Sequence, residues 1–249
     1  MTPPTTLVLW DVDQTLVDYR GLGRAWYAEA LVTVLGIDLV HVPAFPGRTE
    51  RGITVELLEA HGIAWTEEHV RRVHAELVSI AEAGRATMAE RGRALPGAAA
   101  VLAALAGRPE VVQTLVTGNL PELAACKLAP LLPHHHLDLE VGGYGALSAD
   151  RHVLVAAARA AAEAKYGTRF AADRVVVVGD TTHDVVGARQ HGVVAVGVAT
   201  GRDSAAELAA AGADVVLADL SDTGAVVAAL LGWAGSPAGT RDGQLPSGA

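Results

Sequence analysis

The chemistry in this 249-residue sequence is concentrated in two short acidic clusters. The first, Asp11-Val12-Asp13-Gln14-Thr15, begins where the apolar run from Thr6 to Asp11 ends, a run that reads as a fully buried strand. Side chains alternate along an extended chain, so Asp11 and Asp13 emerge on the same side. Two carboxylates that close repel unless a cation joins them, and oxygen ligands of this hardness favour Mg²⁺. The second cluster, Gly179-Asp180-Thr181-Thr182-His183-Asp184, follows the hydrophobic run Val175 to Val178. It places Asp180 at a strand tip and Asp184, four residues on, facing it from the first turn of the next helix. Each pair alone has a blander explanation, as a turn cap or as acids that complement a helix dipole. Two such pairs at the tips of two separate strands are much harder to obtain by chance.

A third strand tip, Val116-Thr117-Gly118-Asn119, offers a hydroxyl and the N–H groups of a glycine turn entering a helix. That combination makes a ready phosphate cradle, although by itself it is a common strand-to-helix turn. With the acids it completes a set of nucleophile, anion cradle and metal-binding carboxylates.

These tips need strands to carry them. Apolar runs at Thr6 to Asp11, Val111 to Thr117, Arg174 to Asp180, Val193 to Val198 and Asp214 to Leu217 read as buried strands. Between them, Ala98 to Leu105, Leu120 to Leu131, Val153 to Lys165, Asp184 to His191 and Ser204 to Ala211 have helical spacing. Alternation of this kind predicts a doubly wound, Rossmann-like parallel sheet covered on both faces, in an α/β fold whose strand ends bind the ligand. From Leu16 to Leu95 the rhythm breaks: there is no strand-like run, only helical patterns at Gly23 to Leu35, Glu50 to His61 and Glu67 to Glu90. A connection of that length exceeds the usual few residues, so 16–95 is expected to be an inserted helical cap domain on a core of 1–15 and 96–232. The Gly-, Pro- and Ser-rich end, 233–249, is expected to be a flexible tail.

Composition limits the partners. With 51% apolar residues and only 4% aromatic ones, the core must be built from Ala, Val and Leu. A net charge of -9 without a Lys/Arg run argues against a nucleic-acid surface. Cys126 is the only cysteine, which excludes an internal disulfide framework and a Cys-rich zinc site and suits a reducing compartment. No stretch approaches the ~20 residues of a membrane span, and the N-terminus lacks a signal-like pattern, so a cytoplasmic protein is expected.

Taken together, the strand-tip residues resemble the haloacid dehalogenase superfamily. Its motifs read Asp-x-Asp-x-Thr, then a strand-end Ser or Thr, then Lys or Arg, then Gly-Asp-x-x-x-Asp, and the resemblance runs from Thr6 to about Leu231. It implies that Asp11 is a nucleophile forming an aspartyl-phosphate and that Asp13 is the general acid and base. Mg²⁺ would be held by Asp11, the main-chain oxygen of Asp13 and Asp180, with Asp184 assisting, and Thr117 would hold a phosphate oxygen beside Gly118 and Asn119. Dehalogenases of this fold lack the second motif Asp, so Asp13 favours phosphate over carbon–halogen substrates. Two positions depart from the pattern. Gln14 stands where such phosphatases often have Gly, which bears on the turn geometry. The cationic partner is open between Arg151, which fits by position, and Lys127, which fits by residue type. In the insertion, Gly47-Arg48-Thr49 resembles the segment by which helical caps present an Arg to substrate, with an exposed loop Arg as the alternative.

The expectation is thus a hydrolase, phosphoglycolate-phosphatase-like in its cap placement, acting on a small phosphorylated metabolite as a monomer or homodimer. A phosphomutase and a catalytically silent small-molecule-binding protein are the competing readings. His134-His135-His136 follows Pro133 without acidic or Cys partners in a zinc spacing and is expected to be a polar turn. Gly142-Gly143-Tyr144-Gly145 lacks the full nucleotide-loop fingerprint and is expected to be a turn as well.

Overall fold

The computed structural model of the chain describes residues 3–233. The tail expected over 233–249 lies, apart from Trp233, outside the described residues. In chain order the elements begin with β1 (Thr6–Trp10), β2 (Val17–Asp18), α1 (Leu22–Leu35), α2 (Glu50–Ala60), α3 (Glu67–Ala83), α4 (Met88–Arg91) and β3 (Arg93–Ala94). They continue with α5 (Ala98–Ala106), β4 (Val111–Thr117), α6 (Pro121–Leu128), β5 (Gly143–Tyr144), α7 (Arg151–Tyr166) and β6 (Val175–Gly179). The last are α8 (Thr182–Gln190), β7 (Val194–Val198), α9 (Ala205–Ala210), β8 (Val215–Leu217) and α10 (Thr223–Leu231).

Six strands form one parallel sheet in the order β5-β4-β1-β6-β7-β8. The fold is therefore a Rossmann-like α/β sandwich. β1 lies centrally, in register with β4 (Thr6↔Val111) on one side and β6 (Leu7↔Val175) on the other. Its residues are buried on both faces because alternate side chains enter two separate cores. Val8 and Trp10 join Val101, Leu102 and Leu105 of α5, Leu123 of α6 and Val226 and Leu230 of α10. Leu7 and Leu9 join Leu154, Val155 and Ala158 of α7, Val185 of α8 and Leu208 of α9. The register brings the carboxyl ends of β1, β4 and β6 side by side, which is what assembles the acidic clusters and the Thr117 turn at one edge of the sheet.

Three expectations are corrected. Gly143–Tyr144 is the edge strand β5, paired in parallel with Val116 and Thr117 of β4, where a turn was expected. A Cβ on Gly143 would run into the backbone carbonyl of Leu154, so the glycine serves the close approach of α7, a requirement that no strand periodicity reveals. The stretch from Leu16 to Leu95 also contains strands. β2 and β3 pair antiparallel, Val17 with Ala94 and Asp18 with Arg93, and Leu95 N–H donates to Leu16 O at 2.9 Å. Two residues are too few to show alternation. The helix expected over 67–90 stops at Ala83, and Gly84 leads through a short 3₁₀ turn into α4. The His134–His136 stretch is a 3₁₀ turn.

Among the described residues, no helix is long and apolar enough to cross a membrane. Helices α1 and α2 reach the strand tips while α3 packs against α1 and α6, and the α2 start is tied down by Glu50 N–H to Gly118 O (2.8 Å) and Arg51 N–H to Gly145 O (3.0 Å). Further out, Cys126 of α6 reaches the Ala81 carbonyl of α3 at 3.4 Å, and Tyr19 donates to the Lys127 carbonyl at 3.0 Å.

Candidate active site

A cavity of about 530 Å³ opens between the strand tips and the inserted helices. Asp11, Asp180, Arg151 and Lys127 on its floor are all buried. Asp11 leaves the tip of β1 with its N–H bonded to Val178 O of β6 at 2.8 Å, so the ladder itself sets its position beside Asp180. Carboxylate oxygens of Asp11, Asp180 and Asp184 lie within 4.8 Å of one another. Asp184, in the first turn of α8, reaches back so that its Oδ2 accepts from the Thr181 hydroxyl (2.7 Å) and the Thr181 N–H (3.2 Å). Thr15 Oγ1 donates to Asp180 Oδ1 at 3.4 Å.

One cation stands among these acids. Arg151, the first residue of α7, donates from Nη2 to Asp11 Oδ1 at 2.6 Å and to the Val116 carbonyl at 3.2 Å. The same nitrogen lies 2.5 Å from Asp184 Oδ1 but outside hydrogen-bonding direction, so the ion pair is made while that buried oxygen has no hydrogen bond. Burial works against the Arg151 charge, but Asp184 and Asp11 outweigh it and hold the guanidinium charged. The acids are less comfortable. Burial, only partly offset by Arg151 and aggravated by Asp184, pushes Asp11 up to about 6. Burial together with Asp11 and Asp184 pushes Asp180 up to about 9. Three buried carboxylates sharing one Arg are short of positive charge. An all-oxygen donor set with a buried, unbonded lone pair on Asp184 fits a hard divalent cation.

Asp13 is held apart from this cluster. Its Oδ2 accepts from Lys127 Nζ at 2.6 Å and from Asn119 Nδ2 at 2.8 Å, and Lys127 also donates to Asn119 Oδ1 at 2.7 Å. The two cations left open by the sequence therefore sit in different places, Arg151 on Asp11 and Lys127 on Asp13. Thr117 Oγ1 accepts from Asn119 Nδ2 (2.8 Å) and Asn119 N–H (3.3 Å), which leaves its own hydroxyl proton free to donate. Gly118 has a second reason to be glycine: a Cβ there would run into the Arg48 carbonyl, so the turn under the Thr117 tip is also the seat of the α2 entry. The Arg48 guanidinium lines the cavity but is drawn onto Glu56, with a further bond to Gly52 O at 3.3 Å.

Gln14 adopts φ 62°, alone among the described non-glycine residues in the left-handed region. Three bonds hold it there: its N–H donates to Val17 O (2.7 Å), its carbonyl accepts from Thr200 Oγ1 (2.5 Å) and its Nε2 donates to Asp18 Oδ1 (2.6 Å). Sequence reasoning missed several residues of the cavity. Gly201 packs on Asp180 so closely that a Cβ would collide with its carboxylate. Glu50, pushed up by burial, accepts from Tyr27 OH at 2.5 Å. Thr15 and Gly47 did stand in the motifs that were read, but Gly201, Arg24 and Arg202 carry no local signal, because their place depends on which loops meet at the strand tips.

Residues 151–223 match the HAD-hydrolase-like family model. A hydrolase from Pseudomonas syringae shares the fold with a TM-score of 0.63 at 24% identity, over 88% of this chain and 95% of that one. A predicted phosphoglycolate phosphatase from Haemophilus somnus gives 0.65 at 18% identity, over 90% and 98%. A variant of CbbY from Rhodobacter sphaeroides, in complex with xylulose-(1,5)bisphosphate, gives 0.64 at 17% identity, over 88% and 96%. Among curated proteins none matches the chain.

Proposed function

We propose that this chain is a haloacid dehalogenase-type phosphohydrolase that cleaves a small phosphate monoester with Mg²⁺ through an aspartyl-phosphate on Asp11. The observation that carries the proposal is the meeting of Asp11, Asp180 and Asp184 within 4.8 Å at the tips of two neighbouring strands, beside the Thr117 turn of a third. Phosphoryl transfer asks chiefly for in-line positioning and neutralised oxygens, and a carboxylate beside Arg151 and the Thr117 turn supports that reading. Mg²⁺, held by Asp11, Asp180 and the main-chain oxygen of Asp13 with Asp184 assisting, would supply positive charge to the phosphoryl oxygens.

In the first step a carboxylate oxygen of Asp11 attacks phosphorus. Arg151 occupies Oδ1, so Oδ2 is the oxygen left to attack. The bond from phosphorus to the substrate oxygen breaks, and Asp13 donates the proton that converts the leaving oxygen to an alcohol. The Thr117 hydroxyl and the Gly118–Asn119 turn receive the phosphoryl oxygens. In the second step Asp13 takes a proton from water, whose oxygen bonds to phosphorus as the acyl-phosphate bond breaks, releasing phosphate and restoring Asp11. Lys127 and Asn119 hold Asp13 over the reacting oxygen and Arg151 neutralises charge on the nucleophile, so the two cations divide the work. Residues 16–95 act as a helical cap on the core of 1–15 and 96–232; the ribbon of β2 and β3, which brings the ends of the insertion together, supports that division. A cap over the tips keeps water from the acyl phosphate until the alcohol has left.

Phosphate release from a panel of small phosphomonoesters with Mg²⁺ tests this reading. Asp11→Asn is expected to abolish turnover while the protein stays folded; undiminished release by the variant would end the case for the nucleophile.

A further inference from the structure

The cavity carries more positive charge than the reaction floor uses. Six cations line it, Arg20, Arg24, Arg48, Lys127, Arg151 and Arg202, against four acids, Asp11, Asp13, Glu50 and Asp180, in a chain whose net charge is -9. Four of the six are answered by a carboxylate. Lys127 pairs with Asp13, Arg151 with Asp11 and Asp184, Arg20 with Asp18 at 3.4 Å and Arg48 with Glu56. Among the described residues, the guanidinium groups of Arg24 and Arg202 form no ion pair; Glu207 feels Arg202 only from beyond pairing distance.

The two unanswered residues come from different parts of the fold. Arg24 lies in the first turn of α1, a helix start with no acid of its own, where a positive side chain is electrostatically disfavoured. Arg202 follows Gly201, which presses on Asp180, and so stands in the loop beyond β7. Both are exposed, whereas Asp11, Asp180, Arg151 and Lys127 are buried. The unpaired cations therefore stand at the mouth of the cavity and the reacting groups at its floor. Arg151 is already engaged by Asp11 and Asp184 among the reacting groups, whereas Arg24 and Arg202 have no such partner.

From this arrangement we infer that Arg24 and Arg202 are specificity-determining residues that bind a second anionic group, phosphate or carboxylate, at the far end of the substrate. This deepens the proposed function and rests on its placing of the reacting phosphoryl group at Asp11. The substrate class is then a doubly anionic phosphate ester. Guanidinium groups suit this task because they stay charged and grip phosphate or carboxylate with two N–H groups at once.

Binding of non-hydrolysable probes tests it without turnover. Calorimetry with Mg²⁺ would compare propylphosphonate, phosphonopropanoate and bisphosphonates with alkane spacers from ethane to pentane. The wild-type protein is expected to bind the best doubly anionic probe about 10-fold or more tightly than propylphosphonate, in line with a charge-assisted, two-pronged contact. In Arg24→Gln/Arg202→Gln that ratio falls toward one, while Arg24→Lys/Arg202→Lys keeps part of it. Whether the bisphosphonate or the carboxylate gains more identifies the distal group. Equal affinity for all probes in the wild type, or equal weakening of every probe in the double Gln variant, would overturn the inference. Binding preference that persists in a protein inactive on every phosphomonoester would leave the second-anion site standing and sink the phosphohydrolase reading, so the two fail separately.

Discussion

Asp11 gains its character from what surrounds it: it is buried, tied to Arg151 through one oxygen, and crowded by Asp180 and Asp184. Arg151 bridges two of these carboxylates from a single nitrogen, a task that depends on the reach of the guanidinium. Arg151→Lys keeps the charge and loses the bridge; kcat is expected to fall on the order of 100-fold with a smaller change in KM, as steady-state phosphate release would reveal. Gln14 allows a cleaner comparison. Its left-handed backbone costs a residue with a Cβ about 1–2 kcal/mol, which its three hydrogen bonds must offset. Gln14→Ala and Gln14→Gly both remove the bond to Asp18, but only Gly removes the strain, so the Gly variant is expected to be more stable by about 1 kcal/mol in urea denaturation. Equal stability of the two would show that the turn relaxes.

At the scale of elements, α8 is both scaffold and ligand holder. Asp184 satisfies the N–H and the hydroxyl of Thr181 with one oxygen and leaves the other toward the acidic cluster. Thr181→Ala is expected to cost about 1 kcal/mol as the hydroxyl bond at the helix start is lost. The same change frees Asp184 to turn, so Mg²⁺ should raise the melting temperature of the variant less than that of the wild type. α6 has a comparable double role, since its Lys127 fixes Asp13 while its backbone receives Tyr19 next to the ribbon of β2 and β3. The elements themselves were largely legible. All five apolar runs proved to be strands: four are buried on both faces, which leaves a continuous hydrophobic signature, whereas the edge strand β8, expected to be buried, is only half-buried. The paired segments Val17–Asp18, Arg93–Ala94 and Gly143–Tyr144 were not legible, because strands of two residues exist only through their partners.

For the whole molecule, the buried acids tie folding to pH. Asp11 and Asp180 hold their protons more tightly in the folded state than the ordinary carboxylate value of 3.8 allows, up to about 6 and about 9. The folded state thus binds more protons than the unfolded one between these values, and stability without divalent cation is expected to fall as pH rises from about 4 to about 9. Paired acids outside the cluster act in the opposite sense and only at the acid end: Asp18 is buried, yet its bonds from Gln14 and Arg93 outweigh that burial and hold it low. Thermal melts with and without Mg²⁺ across that range check this: the gain from Mg²⁺ should grow toward the alkaline side, and a gain independent of pH would contradict it. The sequence alone determined the parallel sheet, its order of strand-tip motifs and the acids they carry, because hydrophobic runs and the residues that end them are local properties of the chain. Only the tertiary structure decided that Arg151 meets Asp11 while Lys127 meets Asp13, that Gly118, Gly143 and Gly201 exist to let other groups come close, and that Arg24 and Arg202 face the same cavity. Those facts depend on which distant segments approach one another, and contacts between distant segments leave no periodic mark on the sequence of either.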